Sequence, residues 1–151
     1  MAIEQDKSFM RLALDEANKS YSSNEVPIGA VIVLNEKVIG RGHNKVIKQN
    51  DVSSHAEINA IRDASSNIDN YRLNSSTIFI TLEPCHMCAK AIVDARIERV
   101  VFAASEPKTG SLISIDNLYD RLDFNHKVNF EYGLLEEESS NLLKKFFKER
   151  R

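Results

Sequence analysis

Cysteine is scarce in this chain, with two in 151 residues, at positions 85 and 88. That excludes a disulfide-stapled scaffold, and in a reducing compartment so close a pair points to metal-binding or redox chemistry. Long hydrophobic runs are also missing. No stretch approaches the roughly 18 apolar residues of a membrane span, and Met1 to Asp6 carries charges where a secretory signal would have its apolar core. A cytoplasmic protein with no membrane partner is expected. Nor is there an excess of positive charge. The net charge is −2, so the chain does not coat nucleic acid globally, and any such contact must be local. Internal repeats, low-complexity tracts and linkers are absent.

What is present reads as a single domain over residues 1–151. Apolar residues make up 42% and charged residues 28%, ordinary for a folded soluble chain. Phe9, Ala13, Ala17 and Tyr21, joined by Leu12, form an i+4 ridge that predicts an amphipathic helix from Gln5 to Tyr21. The runs Val26 to Val33 and Lys37 to Gly40, around Asn35-Glu36, read as a hairpin of two largely buried strands. Ser53 and Ser54 are N-cap candidates for a helix through about Ala64. The β-rich run Thr77 to Thr81, a helix opened by Pro84 and the strand Arg99 to Phe102 follow, and this βαβ order makes the two strands parallel. A helix around Ile113 to Leu122, a short strand near Val128 to Phe130 and a last helix come next. Leu135, Leu142, Leu143, Phe146 and Phe147 share the apolar side of that last helix. The layout is α/β, a mixed sheet with helices on both faces.

The chemistry concentrates in His55-Ala56-Glu57 and Pro84-Cys85-His86-Met87-Cys88, with the polar Gly42-His43-Asn44 after the second strand. Cys85 and Cys88 at i and i+3 share one helix side, where the helix N-terminus favours thiolate. By themselves they also have a rival reading as a thioredoxin-like redox pair. Adding His55 makes two thiolates and one imidazole, a zinc set with an open fourth position, and open zinc sites are catalytic. Helical residues two apart diverge by roughly 200°, so His55 and Glu57 converge only at an irregular helix start. Glu57 has a bland alternative as the second half of a Ser54-x-x-Glu57 capping box. Together, however, these residues complete the H-x-E…P-C-x-x-C pattern of zinc deaminases. Zinc would then activate a water molecule and Glu57 would shuttle the proton. His86 points away from both thiolates and reads as a surface residue or one behind the ligands. His43 and His126 read as rim or structural residues, unless one of them closes the site as a fourth, structural ligand.

The tail from Lys144 to Arg151 interleaves cations with Phe146 and Phe147, as a surface for phosphates and bases does. The same pattern describes a solvated helix end with its aromatics facing the core.

The chain resembles the bacterial tRNA-specific adenosine deaminases almost end to end. The shared segments are Glu25-Val26-Pro27-Ile28-Gly29-Ala30-Val31, Gly42-His43-Asn44, His55-Ala56-Glu57-Ile58, Asn70-Tyr71-Arg72-Leu73, Thr81-Leu82-Glu83-Pro84-Cys85, Lys108-Thr109-Gly110, Asn125-His126 and Phe146-Phe147. The resemblance implies a three-layer α/β/α cytidine-deaminase-like fold with a mixed five-stranded sheet. It also implies one zinc per chain, a homodimer, and conversion of adenosine to inosine at the wobble position of a tRNA anticodon stem-loop. By the same resemblance Asn44 hydrogen-bonds the flipped base, Glu83 lies beside the metal site, and Glu106, Lys108, Phe147 and Arg150 contribute to substrate binding. The chain departs from the family's usual residues at Glu106, His86, Lys90 and Ser111-Leu112-Ile113, none of which is a ligand or the proton carrier. A deaminase of free guanine or cytosine shares the zinc pattern without needing a basic tail, and a structural zinc module needs no catalytic residue.

Overall fold

Three runs of buried residues send alternate side chains to opposite sides, as a sheet covered on both faces requires. In the computed structural model, which describes residues 2–150, these runs are β1 (Gly29–Leu34), β3 (Thr77–Leu82) and β4 (Arg99–Ala104). They are flanked by β2 (Lys37–His43) and β5 (Asn129–Tyr132) in the order β2-β1-β3-β4-β5. The strand β1 is antiparallel to both β2 and β3, while β3, β4 and β5 run parallel. Ala30, Ile32, Ile78, Ile80, Val100 and Phe102 face one side, where α3 (Ala56–Ile68), α4 (His86–Asp94) and α5 (Leu118–Arg121) pack. Val31, Val33, Phe79, Val101 and Ala103 face the other, against Met10 and Ala13 of α1 (Ala2–Ser22). The last helix, α6 (Glu136–Lys148), lies on that same side, its Phe146 ring meeting Tyr21 of α1 at 6.0 Å. The expected α/β/α layers and mixed five-stranded sheet are therefore present. Among the described residues no helix is long and apolar enough to cross a membrane.

Several local expectations change. The second strand is a sheet edge with Lys37 and Arg41 exposed, not a largely buried strand. On α1 the fully buried positions include Met10, Ala13 and Ala17, while Phe9 and Tyr21 are only half-buried. Neither Ser53 nor Ser54 caps α3. The N-cap is His55, and the Ser54 hydroxyl instead meets Gln49 Oε1 at 2.6 Å, so no capping box forms. Pro84 stands one residue before the N-cap of α4, which is Cys85. The helix expected over Ile113 to Leu122 shrinks to α5, because three backbone N–H groups before it converge on the Glu83 carboxylate and Asn117 turns left-handed at φ 46°. Phe147 faces solvent at 48% exposure instead of sharing the buried side of α6 with Phe146.

One close approach positions the site. Ala56, Ala60 and Ala64 form a ridge of small residues along α3, fully buried, and opposite them β2 carries Gly40 and Gly42. A Cβ at Gly42 would lie 2.3 Å from the Ala56 carbonyl oxygen and 2.3 Å from the Ala60 nitrogen, both immovable backbone. The helix therefore rests directly on the strand, and its first turn is held beside His43 and Asn44. Asn59 pins the contact by donating from Nδ2 to the His43 carbonyl at 2.9 Å. Gly42→Ala is expected to lower unfolding stability by about 2 kcal/mol or more and to weaken metal binding, as read by urea denaturation and zinc titration. Wild-type values for both would contradict this packing.

Candidate metal centre and its surroundings

Two helix N-termini face each other at the ends of β2 and β3. Both N-cap residues have extended backbones, His55 at φ −79°, ψ 155° and Cys85 at φ −74°, ψ 174°, and neither makes a side-chain cap. Their side chains are thus free for another partner, and Cys88 joins them from the first turn of α4. His55 Nδ1 lies 3.6 Å from Cys85 Sγ and 3.5 Å from Cys88 Sγ. Zinc arms of about 2.3 Å to sulfur and 2.05 Å to nitrogen, set at the tetrahedral angle, place S and N about 3.6 Å apart. The three donor atoms lie within 4.8 Å of one another, so the cluster fits a tetrahedral zinc with Nδ1 as the nitrogen donor. Among the described residues no fourth side chain completes the set. His43 Nδ1 meets Glu16 at 3.3 Å and His126 Nε2 the Ile97 carbonyl at 2.7 Å. His86 is exposed and bonds Asp116 at 2.7 Å. A closed structural site therefore does not form. A redox pair accounts for the two thiols but leaves His55 unexplained.

The electrostatics favour a cation. A hydrogen bond from the Cys88 thiol, aided by the His55 imidazole and the Cys88 backbone N–H, outweighs burial and brings Cys85 down to about 4. Donating that bond, buried, and close to Glu57, Cys88 is pushed up and keeps its proton. His55 is raised by its bond to Cys85, against the opposing effect of burial. A metal ion would displace these protons, so its affinity falls as pH falls.

Glu57 stands beside the cluster but outside it. It is 4% exposed, and burial raises its carboxyl to about 7, against its own backbone N–H, which favours the charged form. That is the value a proton carrier working near neutrality needs.

Glu83, one residue before Pro84, is 3% exposed. Its carboxylate accepts the backbone N–H groups of Glu106, Leu112, Ile113 and Ser114 and the Ser114 hydroxyl. A carboxylate has about four lone-pair sites, so five donors leave none for a substrate. Burial pushes its pKa up, but the Ser114 hydroxyl and the amides of Ile113, Glu106 and Ser114 outweigh it and hold it low. Two residues before the ligand Cys85, Glu83 thus anchors a loop. Gly110 packs so tightly on this carboxylate that a Cβ would come within 2.3 Å of it. The Ser111 N–H then bonds the Pro84 carbonyl at 2.9 Å, tying the loop to the residue before Cys85.

The remaining expected substrate residues are only partly brought together. Glu106 and Phe147 line one open groove of about 320 Å³, whose walls include Val26, Ile28, Leu82 and Leu143. Asn44 is 7% exposed and bonds both Val26 and Ile28 of that wall, Nδ2 donating to the Val26 carbonyl at 3.2 Å and its N–H to the Ile28 carbonyl at 3.2 Å. Lys108 is exposed outside the groove lining, its N–H held by the Glu106 carboxylate at 3.0 Å. Arg150 lies apart, stacked 3.9 Å over the Phe146 ring and bonded to Asn24 at 2.7 Å. Arg151 lies outside the described residues. Sequence reasoning missed Glu25, Ser20 and Asn59, buried or half-buried polar residues that hold the segments around Asn44 and His55. Only Asn59 had a signal, its i+4 spacing from His55.

Residues 4–151 match the MafB19-like deaminase family. The tRNA-specific adenosine deaminase of Haemophilus influenzae is 46% identical over 149 residues, covering 98% of this chain and 86% of the relative. That of Bacillus subtilis is 42% identical, covering 97% and 91%. A solved structure from work on A-to-I editing by tRNA:A34 deaminases at the wobble position superposes with a TM-score of 0.87 at 43% identity, covering 90% of this chain and 99% of that one. A guanine deaminase from Nitrosomonas europaea shares the fold, with a TM-score of 0.82 at 20% identity, covering 93% and 83%.

For zinc-stripped protein, the raised Glu57 carboxyl predicts a specific pH dependence. Its contribution to stability is fully present below its ordinary value of 4.5 and is lost as pH climbs through about 7. Measured against Glu57→Gln, wild-type stability should therefore fall across that window, by roughly 3 kcal/mol at most. A flat difference in urea denaturation would show that the carboxyl is not desolvated.

Proposed function

The chain belongs to the MafB19-like deaminase family and to the tRNA-specific adenosine deaminases, and from that premise we propose how it converts adenosine to inosine at the wobble position of a tRNA anticodon. His55, Cys85 and Cys88 hold one zinc per chain, and Glu57 carries the protons. The observation behind this is the three-donor cluster with a buried carboxyl beside it, poised at about 7. When bound, zinc supplies a Lewis acid that brings the pKa of water toward about 7. Glu57 would accept one proton from the attacking water and pass it to a purine ring nitrogen, then take the second from the hydroxyl newly attached to the carbon and pass it to the exocyclic amine, which departs as ammonia. Water adds its oxygen to the carbon that loses nitrogen, so the atoms balance. The one residual carbonyl lone pair and amide hydrogen of the Asn44 side chain orient the base.

The substrate enters as an anticodon stem-loop, because a base reached by the metal must leave its stack, and a loop presents it at lower cost than a duplex. Neighbouring nucleotides lie along the groove of Val26, Glu106 and Phe147, with Lys144 at its α6 wall, and Lys148, which shares a second hollow with Lys144 and Phe147, facing phosphates just beyond it. Arg150, engaged with Phe146 and Asn24, acts by fastening α6. The reading includes a single deaminase domain over residues 1–151, a homodimer, and the cytoplasmic placement that a tRNA substrate requires.

Glu57→Gln is expected to retain one zinc and the wild-type fold while losing at least about 100-fold in turnover, the usual scale of a general acid–base group. Substantial residual ammonia release would remove Glu57 from its role. On substrate, the stem-loop should be deaminated far faster than free adenosine, cytosine or guanine; faster release from free guanine would replace the tRNA reading with that of a base deaminase. Lys144→Ala with Lys148→Ala should weaken stem-loop binding and flatten its salt dependence by about 0.7 per lost phosphate contact. An unchanged slope would exclude the α6 contact.

A further inference from the structure

Among the buried polar side chains, Glu25 belongs to neither the metal cluster nor the loop that Glu83 anchors. It is 2% exposed, and a carboxylate withdrawn from water persists only when hydrogen-bonded. Its Oε1 accepts the Ile47 N–H at 3.0 Å and its Oε2 the Lys48 N–H at 2.8 Å. These are first-turn amides of α2 (Val46–Gln49), whose own N-cap, Lys45, supplies no side-chain cap. A residue twenty positions upstream thus does the capping.

That short helix is joined to the site at both ends. Before it stands Asn44, whose Oδ1 accepts the Val46 N–H at 3.3 Å and whose Nδ2 reaches the Val26 carbonyl, the residue after Glu25. The buried Ser20 hydroxyl donates to the Asn44 carbonyl at 2.8 Å. On the other side, the Lys45 N–H bonds the Ser54 carbonyl at 3.0 Å, and Gln49 takes the Ser54 hydroxyl at 2.6 Å. Ser54 immediately precedes the ligand His55. If α2 shifts, Asn44 and the approach to His55 shift with it.

We propose that Glu25 is a positioning residue for the deamination, clamping α2 so that the Asn44 amide is presented to the base in register with the metal ligands. The proposal rests on the reading of Asn44 as a base contact. Glu25→Gln is nearly isosteric, but it replaces one acceptor with an NH2 group facing an N–H donor, so one of the two bonds is lost and the clamp loosens.

Three measurements on the zinc-loaded enzyme test this. Amide exchange at Ile47 and Lys48 should accelerate in Glu25→Gln while α4 amides and zinc content stay at wild-type values. With stem-loop substrate, KM should rise roughly tenfold and kcat change by less than about threefold, the loss of one hydrogen bond's worth of ground-state positioning. In an Asn44→Ala background the same substitution should change KM by less than about twofold, because the residue it acts through is gone. Unchanged exchange at Ile47 and Lys48 would overturn the clamp whatever the substrate. A tenfold KM effect persisting in the Asn44→Ala background would overturn the route through Asn44. Wild-type inactivity on every RNA would instead sink the tRNA reading, and the exchange measurement, which needs no RNA, would still decide the clamp.

Discussion

The contact on which the site depends is the direct seating of α3 on β2. With alanines on the helix and glycines on the strand, backbone meets backbone, and no side chain separates the two elements. Close packing of this kind is unforgiving, since interiors have crystal-like density and cannot absorb an added methyl group without displacing something. The first turn of α3 is therefore set with little freedom against the end of β2. His55, Glu57 and Asn44 owe their mutual arrangement to it.

Facing that turn is the start of α4, delivered by β3 through Glu83-Pro84-Cys85. Two helix N-termini aimed at one point create a region where negative charge is favoured. That suits thiolates. A carboxylate deprived of water is nonetheless disfavoured, and the two effects separate the residues by task. Cys85 is stabilised as an anion by hydrogen bonds, whereas Glu57, fully buried, is driven toward the neutral form. Two acidic groups at one centre thus differ in role because one is hydrogen-bonded as an anion and the other is desolvated.

Around this centre, buried carboxylates act as fasteners for irregular backbone. Glu83 collects five donors from the segment between Glu106 and Ser114, and Glu25 collects two from α2. Neither segment has the repeating hydrogen bonds of a long helix or a strand, so its amides need acceptors from elsewhere. Glu106 and Ser111-Leu112-Ile113 lie on the Glu83-held loop. That loop lines the groove through Glu106 and pairs with the ligand Cys85 through Gly110.

Periodicity and spacing determined a good deal. The β-rich runs identified β1, β3 and β4, the βαβ order made β3 and β4 parallel, and His55, Glu57, Cys85 and Cys88 were legible because two short motifs carry all four. Such features are local, depending on residues within a turn or strand of each other, and a linear pattern records them directly. What only the tertiary structure decided depends on partners far apart in the chain. Ser54 failed as an N-cap because Gln49 and Asn59 claimed its hydroxyl, and the Ile113 to Leu122 helix was cut short by a carboxylate thirty positions upstream. Phe147 turned to solvent while Phe146 packed on Tyr21. Glu83 was consumed by a loop, and Glu25 became a cap for a helix it does not adjoin. A hydrogen-bonding side chain has one short reach and several candidate partners, and only the folded chain shows which of them comes within 3 Å.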